Sequence, residues 1–267
     1  MKSLKELYRI GIGPSSSHTI GPRSAAEAYL KRHPEALGFR VTLYGSLAAT
    51  GKGHLTDYAI LQVLGENRTE LLWHANIVLP FHPNGMKFEA KAHSGDFVDP
   101  WTVYSVGGGA LVEEGQQQTD TPDVYELDHL SDIQQWCHER GVSYWGYVTQ
   151  CEGSEIWDYL ERVWHTMCEA VERGLEHEGV LPGALKLHRK APDYYIRALG
   201  YPSNLQSRAL VFAYALAVSE ENASGGTIVT APTCGASGVV PAVLYHLYKT
   251  RKDRKSTRLN SSHVKRS

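Results

Sequence analysis

The chain has 267 residues, of which 42% are hydrophobic and 21% are charged, and its formal net charge is −2. This length and composition exclude a disordered or fibrous protein and leave room for two compact domains. No apolar run reaches the roughly 18 residues of a membrane helix, and four cysteines without a CxxC pair and without an apolar leader predict a cytoplasmic protein with no membrane partner.

The net charge of the chain depends strongly on its last residues. Residues 251–267, RKDRKSTRLNSSHVKRS, hold seven of the 27 Lys and Arg residues and one of the 29 Asp and Glu residues. A solvated basic tail of this kind can bind nucleic acid. It resembles the translation of a sequencing adapter, however, and we expect residues 253–267 to be a non-native tail. Without residues 251–267 the net charge is about −8, so no nucleic-acid partner is predicted.

Short runs rich in alternating, β-branched and aromatic residues recur in the first half. They predict strands in the segments FRVTLYG, HANIVLP, MKFEAKA and PWTVYSV, separated by turn clusters such as HPNG and GGG. Helices are predicted to begin at Pro22, after His54, and at Ser131, where Gln134 completes a capping-box pattern. The first half therefore predicts an α/β domain over residues 1–150.

The second half changes to a helical period. Apolar residues at steps of three and four along residues 156–175 predict a helix of about 20 residues capped by Ser154. A second long helix is predicted with Ser203 as its cap, and VPAVLYHLYK predicts a third. The whole chain is therefore predicted to be α+β, with an all-helical region over residues 151–252 that begins near TQCEGS.

The first loop, GIGPSSSHTIGP, combines glycines with clustered hydroxyls before a helix. Its main-chain N–H groups and the hydroxyls of Ser15, Ser16, Ser17 and Thr19 suit a carboxylate or a phosphate, and His18 can move a proton near neutral pH. A dinucleotide fingerprint is disfavoured because GxGxxG needs glycine at position 16. The alternative is a Ser/Thr-rich capping loop that binds nothing.

Two further segments have a similar character. The segment GSLAATGKGHLTD follows a predicted strand, contains three glycines and places His54 directly before a predicted helix. The open alternative is a flexible connector with a surface histidine. ASGGTIVTAPTCGASGVVPAVL interrupts a helical region with small residues and hydroxyls, which predicts a ligand cradle between helices. For Cys234 in this segment, a buried packing residue is the alternative to a reactive thiol.

Six segments in order resemble one family: GIGPSSSHTIGP, GSLAATGKGHLTD, FHPNGMKFEA, YSVGGGAL, LPGALKLHRKA and AVSEENASGGTIVTAPTCGASGVVPAVL. They resemble the single-chain, iron–sulfur-dependent bacterial L-serine dehydratases (L-serine ammonia-lyases). The resemblance covers about residues 5–250 and implies an α/β serine-dehydratase β domain followed by a helical catalytic α domain. It also implies a [4Fe-4S] cluster as Lewis acid, L-serine as substrate, pyruvate and ammonia as products, and a homodimer.

The resemblance implies roles for particular residues. His18 and His54 are candidates for proton transfer, and which of them acts on the Cα proton is left open. The implied substrate-binding residues are Ser15, Ser16, Ser17, Thr19, Thr230, Thr233, Cys234 and Gly235, with Cys234 at a position where the family more often has asparagine.

The cluster cysteines of the family lie beyond the TAPT segment, so we expect no metal ligands in this chain, a C-terminally truncated domain and no turnover by the chain alone. Truncation is also expected to leave the apolar stripe of residues 156–175 unburied. The competing hypothesis is a non-catalytic module that binds a small amino acid such as serine.

Overall fold

The structure, a computed structural model, describes residues 1–113, 123–183 and 185–250. The predicted tail at 253–267 lies outside the described residues. No helix in these ranges is long and apolar enough to cross a membrane.

A five-stranded sheet forms the centre of the first half. Its strands are β2 Gly38–Tyr44, β3 Thr69–His74, β4 Gly85–Lys91, β5 Phe97–Gly107 and β6 Ala110–Glu113. They are arranged in the order β3-β2-β4-β5-β6, where β2 pairs in parallel with β3 and the remaining neighbours are antiparallel.

Three of the four predicted strands are confirmed, and HANIVLP is wrong. The structure has β3 at Thr69–His74 and makes residues 75–84 the connection to β4. The reason is topological: β3 is the edge strand and β4 pairs on the opposite side of β2, so the chain must leave the sheet after His74. Ile77 and Val78, the apolar residues at the centre of this segment, are 47% and 61% exposed.

Helices α2 Gly21–Arg32 and α4 Thr56–Leu64 pack against each other and close one side of this sheet. The short helix α3 Gly45–Thr50 follows β2 directly, which the sequence did not predict as a helix. The core between helices and sheet consists of Ala25, Ala26, Tyr29, Phe39, Val41, Leu43, Leu47, Ile60, Leu64, Met86, Phe88, Ala90 and Val103.

The second half is helical, as predicted, except for the three-residue strand Thr227–Val229. Its elements are α5 Leu130–Arg140, α6 Tyr144–Glu152, α7 Ile156–Glu176, α8 Ala191–Leu199, α9 Ser203–Ala223 and α10 Val239–Thr250. The predicted caps Ser131, Ser154 and Ser203 are wrong by one or two residues, since His129, Glu155 and Pro202 occupy the N-cap positions. Periodicity predicts that a helix exists, whereas the residue at its N-cap position depends on where the preceding segment joins the helix.

The expectation that residues 156–175 expose their apolar stripe is wrong. Ile156, Val163, Met167 and Val171 are at most 4% exposed because α7 packs against α9, α10 and a short strand, β7 Thr227–Val229. Large exposed apolar side chains lie instead on α8, α9 and α10. They include Tyr194, Ile196, Leu199, Leu205, Phe212, Val239, Val243, Leu244 and Tyr248.

A two-stranded antiparallel ribbon connects the beginning of the chain to the helical half. β1 Ile10–Ile12 pairs with β7, with Ile10 opposite Val229 and Ile12 opposite Thr227. The N-terminal helix α1 Leu4–Leu7 packs with α5 and α6 through Leu4. The first loop therefore begins within the helical half and then enters the α/β half through α2.

Candidate active site

The serine-rich loop forms one π-helical turn, Ser16–Ile20, that continues into α2. Ser15 caps it: the Ser15 hydroxyl accepts from the backbone N–H of His18 at 3.2 Å, and the Ser15 N–H donates to the hydroxyl of Thr19 at 3.2 Å. Single π-helical turns are rare and concentrate at functional sites. Here the turn fixes the position of His18 relative to α2.

The structure brings His18 and His54 together. Their ring centroids are 4.8 Å apart, with planes tilted by 41°. The two segments are braced in both directions, because Thr19 donates its hydroxyl to the carbonyl of His54 at 2.7 Å and Thr56 donates its hydroxyl to the carbonyl of His18 at 2.5 Å. The two imidazoles are therefore held near each other by two hydrogen bonds from threonine hydroxyls to backbone carbonyls and by the contact between the rings.

Both ring nitrogens of His18 have hydroxyl partners. Nδ1 lies 2.9 Å from the Ser17 hydroxyl, and Nε2 lies 3.1 Å from the Ser46 hydroxyl. Burial and then the neighbouring His54 lower the pKa of His18, while a hydrogen bond to the backbone of Ser46 raises it. The net direction favours the neutral ring near neutral pH.

His54 has a different environment. Its Nδ1 lies 3.1 Å from the backbone carbonyl of Thr50, which can only accept a hydrogen bond. Nδ1 therefore carries a proton and Nε2 is the basic nitrogen of the neutral ring. In the described parts of the chain Nε2 has no hydrogen-bond partner, so it can accept a proton from a ligand.

This site lies where the two halves meet. The Gly13 N–H donates to the carbonyl of Gly226 at 3.1 Å, and the Asn222 side-chain amide donates to the carbonyl of Pro14 at 3.3 Å. A Cβ added at Gly225 would lie 3.2 Å from the side chain of Leu55. The end of α9 and the turn before β7 therefore contact the residues that precede His18 and the residue that follows His54.

Comparison with known proteins gives a consistent assignment. The model of the serine dehydratase alpha chain matches residues 56–263, and that of the beta chain matches residues 3–70. The chain belongs to the serine dehydratase family. It is 34% identical to the L-serine dehydratase TdcG of Escherichia coli over 94% of the chain and 67% of the relative, and equally identical to an L-serine dehydratase of Haemophilus influenzae over 93% and 67%.

A further relative, an L-serine dehydratase of Streptomyces coelicolor, is 35% identical over 91% of the chain and 65% of its own length. The chain thus spans about two thirds of the length of these dehydratases. Serine dehydratase membership confirms the family named by the six ordered motifs.

The other predicted substrate contacts are placed differently from the two histidines. Thr230 is buried, and its hydroxyl accepts from the N–H of Arg9 and donates to the carbonyl of Leu7. Thr233 and Gly235 are exposed around the 3₁₀ turn that follows β7, whereas Cys234 is 2% exposed within the helical core. Since β7 runs antiparallel to β1, residues 230–235 leave the ribbon at the Ile10 end and the serine turn leaves it at the Ile12 end, although Cys234 and Ile20 share one core cluster. Their role in substrate binding stays a prediction.

The segment between α7 and α8 is attached to this region by a buried carboxylate. Glu221 accepts hydrogen bonds from His177, Arg189 and Arg173 at 2.9, 2.8 and 3.2 Å. Burial acts to raise the pKa of Glu221, but these three partners outweigh it and hold the pKa below its usual value. A Cβ at Gly226 would lie 2.8 Å from Glu221, so the network also supports the turn that contacts Gly13.

The described cysteines do not fit an iron–sulfur cluster. Cys137 and Cys151 lie in a core cluster around α5 and α6, and Cys168 and Cys234 lie in that of α7, α9 and α10. In the ranges that the structure describes, no three His, Cys, Asp or Glu side chains converge as metal ligands. Burial raises the pKa of Cys234 to about 12 and that of Cys168 to about 11, which disfavours the thiolate that binds iron.

Sequence reasoning missed Ser46, Thr50 and Thr56, which hold the two histidines. Thr50 and His54 are four residues apart, as are Ser46 and Thr50, so the signal was a periodic polar face in GSLAATGKGH. The glycines of that segment indicated a flexible loop instead of a helix.

Proposed function

We propose that the chain is part of an L-serine ammonia-lyase, which converts L-serine to pyruvate and ammonia. The observation that carries the proposal is the pair of imidazoles in a serine-rich turn, at the contact between the two halves of a serine dehydratase. A hydroxyl-rich turn can bind the polar groups of a small amino acid, and an imidazole with a free basic nitrogen can remove its Cα proton.

Ser15 and Ser17 are the proposed contacts to the substrate carboxylate. The Ser15 hydroxyl accepts from a backbone N–H, so its own proton is available to a ligand. Ser16 and Ser17 begin the helical turn, and N–H groups at such a position favour an anion. The Thr19 hydroxyl donates to the carbonyl of His54, so we assign it to positioning the turn.

His54 is the proposed general base. Thr50 holds its Nδ1 proton, and its Nε2 is free to take the Cα proton of the substrate. His18 remains neutral beside it, since burial and the neighbouring imidazole oppose protonation of His18. A neutral His18 lets His54 accept charge without a second cation 4.8 Å away.

The family resemblance also implies a [4Fe-4S] cluster that acts as a Lewis acid on the substrate hydroxyl. The described cysteines do not form a ligand set for it, so no step is assigned to the cluster on these residues. The division at residues 150 and 151, which falls within α6, is proposed as the domain boundary, and the homodimer and the cytoplasmic location also stay predictions.

The test uses the full chain, treated with iron and sulfide without oxygen, and two readouts with L-serine: calorimetric binding and pyruvate release. We expect the wild type to bind L-serine, His54→Gln to retain this binding but to lose any pyruvate release that the wild type shows, and Ser15→Ala to weaken binding. His93→Gln, at an exposed turn, is the matched control and should behave as the wild type. Pyruvate release that His54→Gln abolishes would support the lyase over the binding module, pyruvate release that His54→Gln retains would contradict His54 as the base, and absence of binding would contradict both hypotheses.

A further inference from the structure

Leu55, which lies between His54 and the first residue of α4, has a left-handed backbone conformation with φ 57° and ψ 32°. This conformation is strained for a bulky side chain, because Cβ comes close to the following carbonyl oxygen. Such strain persists only where the surrounding structure enforces it, and it concentrates at functional sites. Its occurrence directly after the proposed base His54 indicates a role for Leu55 in that site.

Leu55 is the joint between two helical segments. Its N–H donates to the carbonyl of Lys52 at 3.4 Å, which closes the 3₁₀ turn that carries His54. Its carbonyl accepts from the N–H of Ala59 at 2.9 Å, which begins the hydrogen bonding of α4. The left-handed φ of Leu55 therefore sets the angle between the turn that carries His54 and the helix that follows it.

The angle at this joint matters for both imidazoles. Before the joint, the carbonyl of His54 accepts from the Thr19 hydroxyl at 2.7 Å. After the joint, the Thr56 hydroxyl donates to the carbonyl of His18 at 2.5 Å. Both threonines are 0% exposed, and a carbonyl can only accept, so the direction of each bond is fixed. A different backbone angle at Leu55 would break at least one of these bonds and move the His54 ring away from His18.

The Leu55 side chain explains why this position is not a glycine, although glycine would adopt the left-handed conformation without strain. Its Cδ1 lies 3.2 Å from the position of a Cβ added at Gly225, in the turn between α9 and β7. The side chain therefore packs against the helical half. This contact fixes the joint from the opposite side of the interface between the halves.

We propose that Leu55 is a positioning residue whose left-handed backbone directs the ring of His54 toward that of His18. Its importance for proton transfer rests on the proposed function. The arrangement of the two rings does not depend on that function and can be tested by itself.

The arrangement can be measured by the nuclear Overhauser effect between protons of the two rings, whose centroids are 4.8 Å apart. The full chain is labelled on histidine, and each ring is identified by the loss of its signals in His18→Gln and His54→Gln. We expect a cross-peak between the rings in the wild type. Leu55→Ile should reduce its intensity at least threefold, because this β-branched side chain keeps the volume and apolarity of leucine but disfavours a positive φ.

Two further variants separate the backbone conformation from general disturbance. Leu55→Gly should keep the wild-type cross-peak, because glycine adopts the left-handed conformation freely. Leu61→Ile, at a half-buried position within α4, makes the same exchange of side chains at an ordinary helical φ. It is the matched control and should leave the cross-peak unchanged.

If Leu55→Ile does not fold, Leu55→Ala replaces it. Alanine and glycine both lack the contact with Gly225, but alanine is strained at a positive φ. The cross-peak of Leu55→Ala should therefore be weaker than that of Leu55→Gly.

The proposal is overturned if the wild type lacks the cross-peak, if Leu55→Ile or its replacement Leu55→Ala retains the wild-type intensity, or if Leu55→Gly loses as much as either. An equal loss in Leu61→Ile would also overturn it. The measurement needs neither L-serine nor turnover. Failure of the wild type to bind L-serine would therefore contradict the proposed function and leave the result on the two rings standing.

Discussion

The two halves of the molecule bury their apolar side chains to different extents. In the α/β half the large core residues, such as Phe39, Leu43 and Phe88, are at most 1% exposed. In the helical half the inner face of α7 is equally buried, but Ile196 on α8 and Phe212 on α9 are 67% and 54% exposed. A sheet covered by two helices closes its own core, whereas the helical half closes only the side that meets α7, β1 and β7.

The difference also extends to what stabilises each half. The α/β core is apolar and aromatic, while the helical half contains a buried carboxylate that is paired with two arginines and a histidine. A buried charge destabilises the fold when one of its partners is removed, so variants that remove a charge should destabilise the helical half most. Variants that leave a cavity should destabilise the α/β half most.

The largest effect is expected from Phe88→Ala in the closed core. Removing this fully buried ring should lower the free energy of unfolding by about 3–5 kcal/mol. Ile196→Ala, its counterpart on the exposed face, should change it by less than about 1 kcal/mol. Chemical denaturation measures both, and equal losses would abolish the contrast between the two cores.

Glu221→Gln should come next, at about 3 kcal/mol of lost stability. The variant leaves Arg189, which is 8% exposed at its side chain, without its anionic partner. Glu161→Gln is the control and should be close to neutral, because the side chains of Glu161 and its neighbour His165 are both more than 60% exposed. A neutral Glu221→Gln would show that the network does not stabilise the helical half.

A smaller effect is expected at the contact between the halves. A Cβ at Gly13 would lie 2.1 Å from the carbonyl oxygen of Asn222, so Gly13→Ala should destabilise the chain by about 1–3 kcal/mol. Gly53→Ala is the control, because an added Cβ there meets no atom within 4 Å. If thermal melting gives both variants the wild-type transition, the close contact of Gly13 with α9 does not exist in solution.

The smallest effect is a pH dependence from His18. Its folded pKa lies below the ordinary value of 6.5, so between these two values the unfolded chain binds more protons than the folded one. The stability linked to this group is therefore complete above pH 6.5 and falls as the pH drops toward the folded pKa. His18→Gln should show a shallower loss than the wild type between pH 8 and pH 5, and parallel curves would contradict a lowered pKa.

Local patterns in the sequence predicted most helices and three strands of the sheet. The 3.6-residue period along α7 is a property of the segment itself, and so is the alternation in β2 and β4. β1 and β7 were not predictable, because each has three residues and their pairing joins positions more than 200 residues apart. HANIVLP does not form the predicted strand for a related reason: its composition favours a strand, but the order of strands in the sheet makes it part of the connection from β3 to β4.

The candidate site shows the same limit. Glycines, serines and histidines in GIGPSSSHTIGP and GSLAATGKGHLTD identified both imidazoles as candidates. Their approach to 4.8 Å, and the hydroxyl of Ser46 on Nε2, depend on where β2 ends and on how residues 75–84 fix Gly45. Such contacts are made by the folded backbone and have no local signature.

By itself the sequence determined the family, the order of an α/β half before a helical half, and the residue types available for proton transfer. Tertiary structure alone decided that the first twelve residues pack with the helical half, which hydroxyls each imidazole meets, and which apolar faces stay exposed. The physical reason is range: periodicity and capping act within a few residues, whereas strand pairing, burial and the environment of a titratable ring depend on segments that only folding brings together.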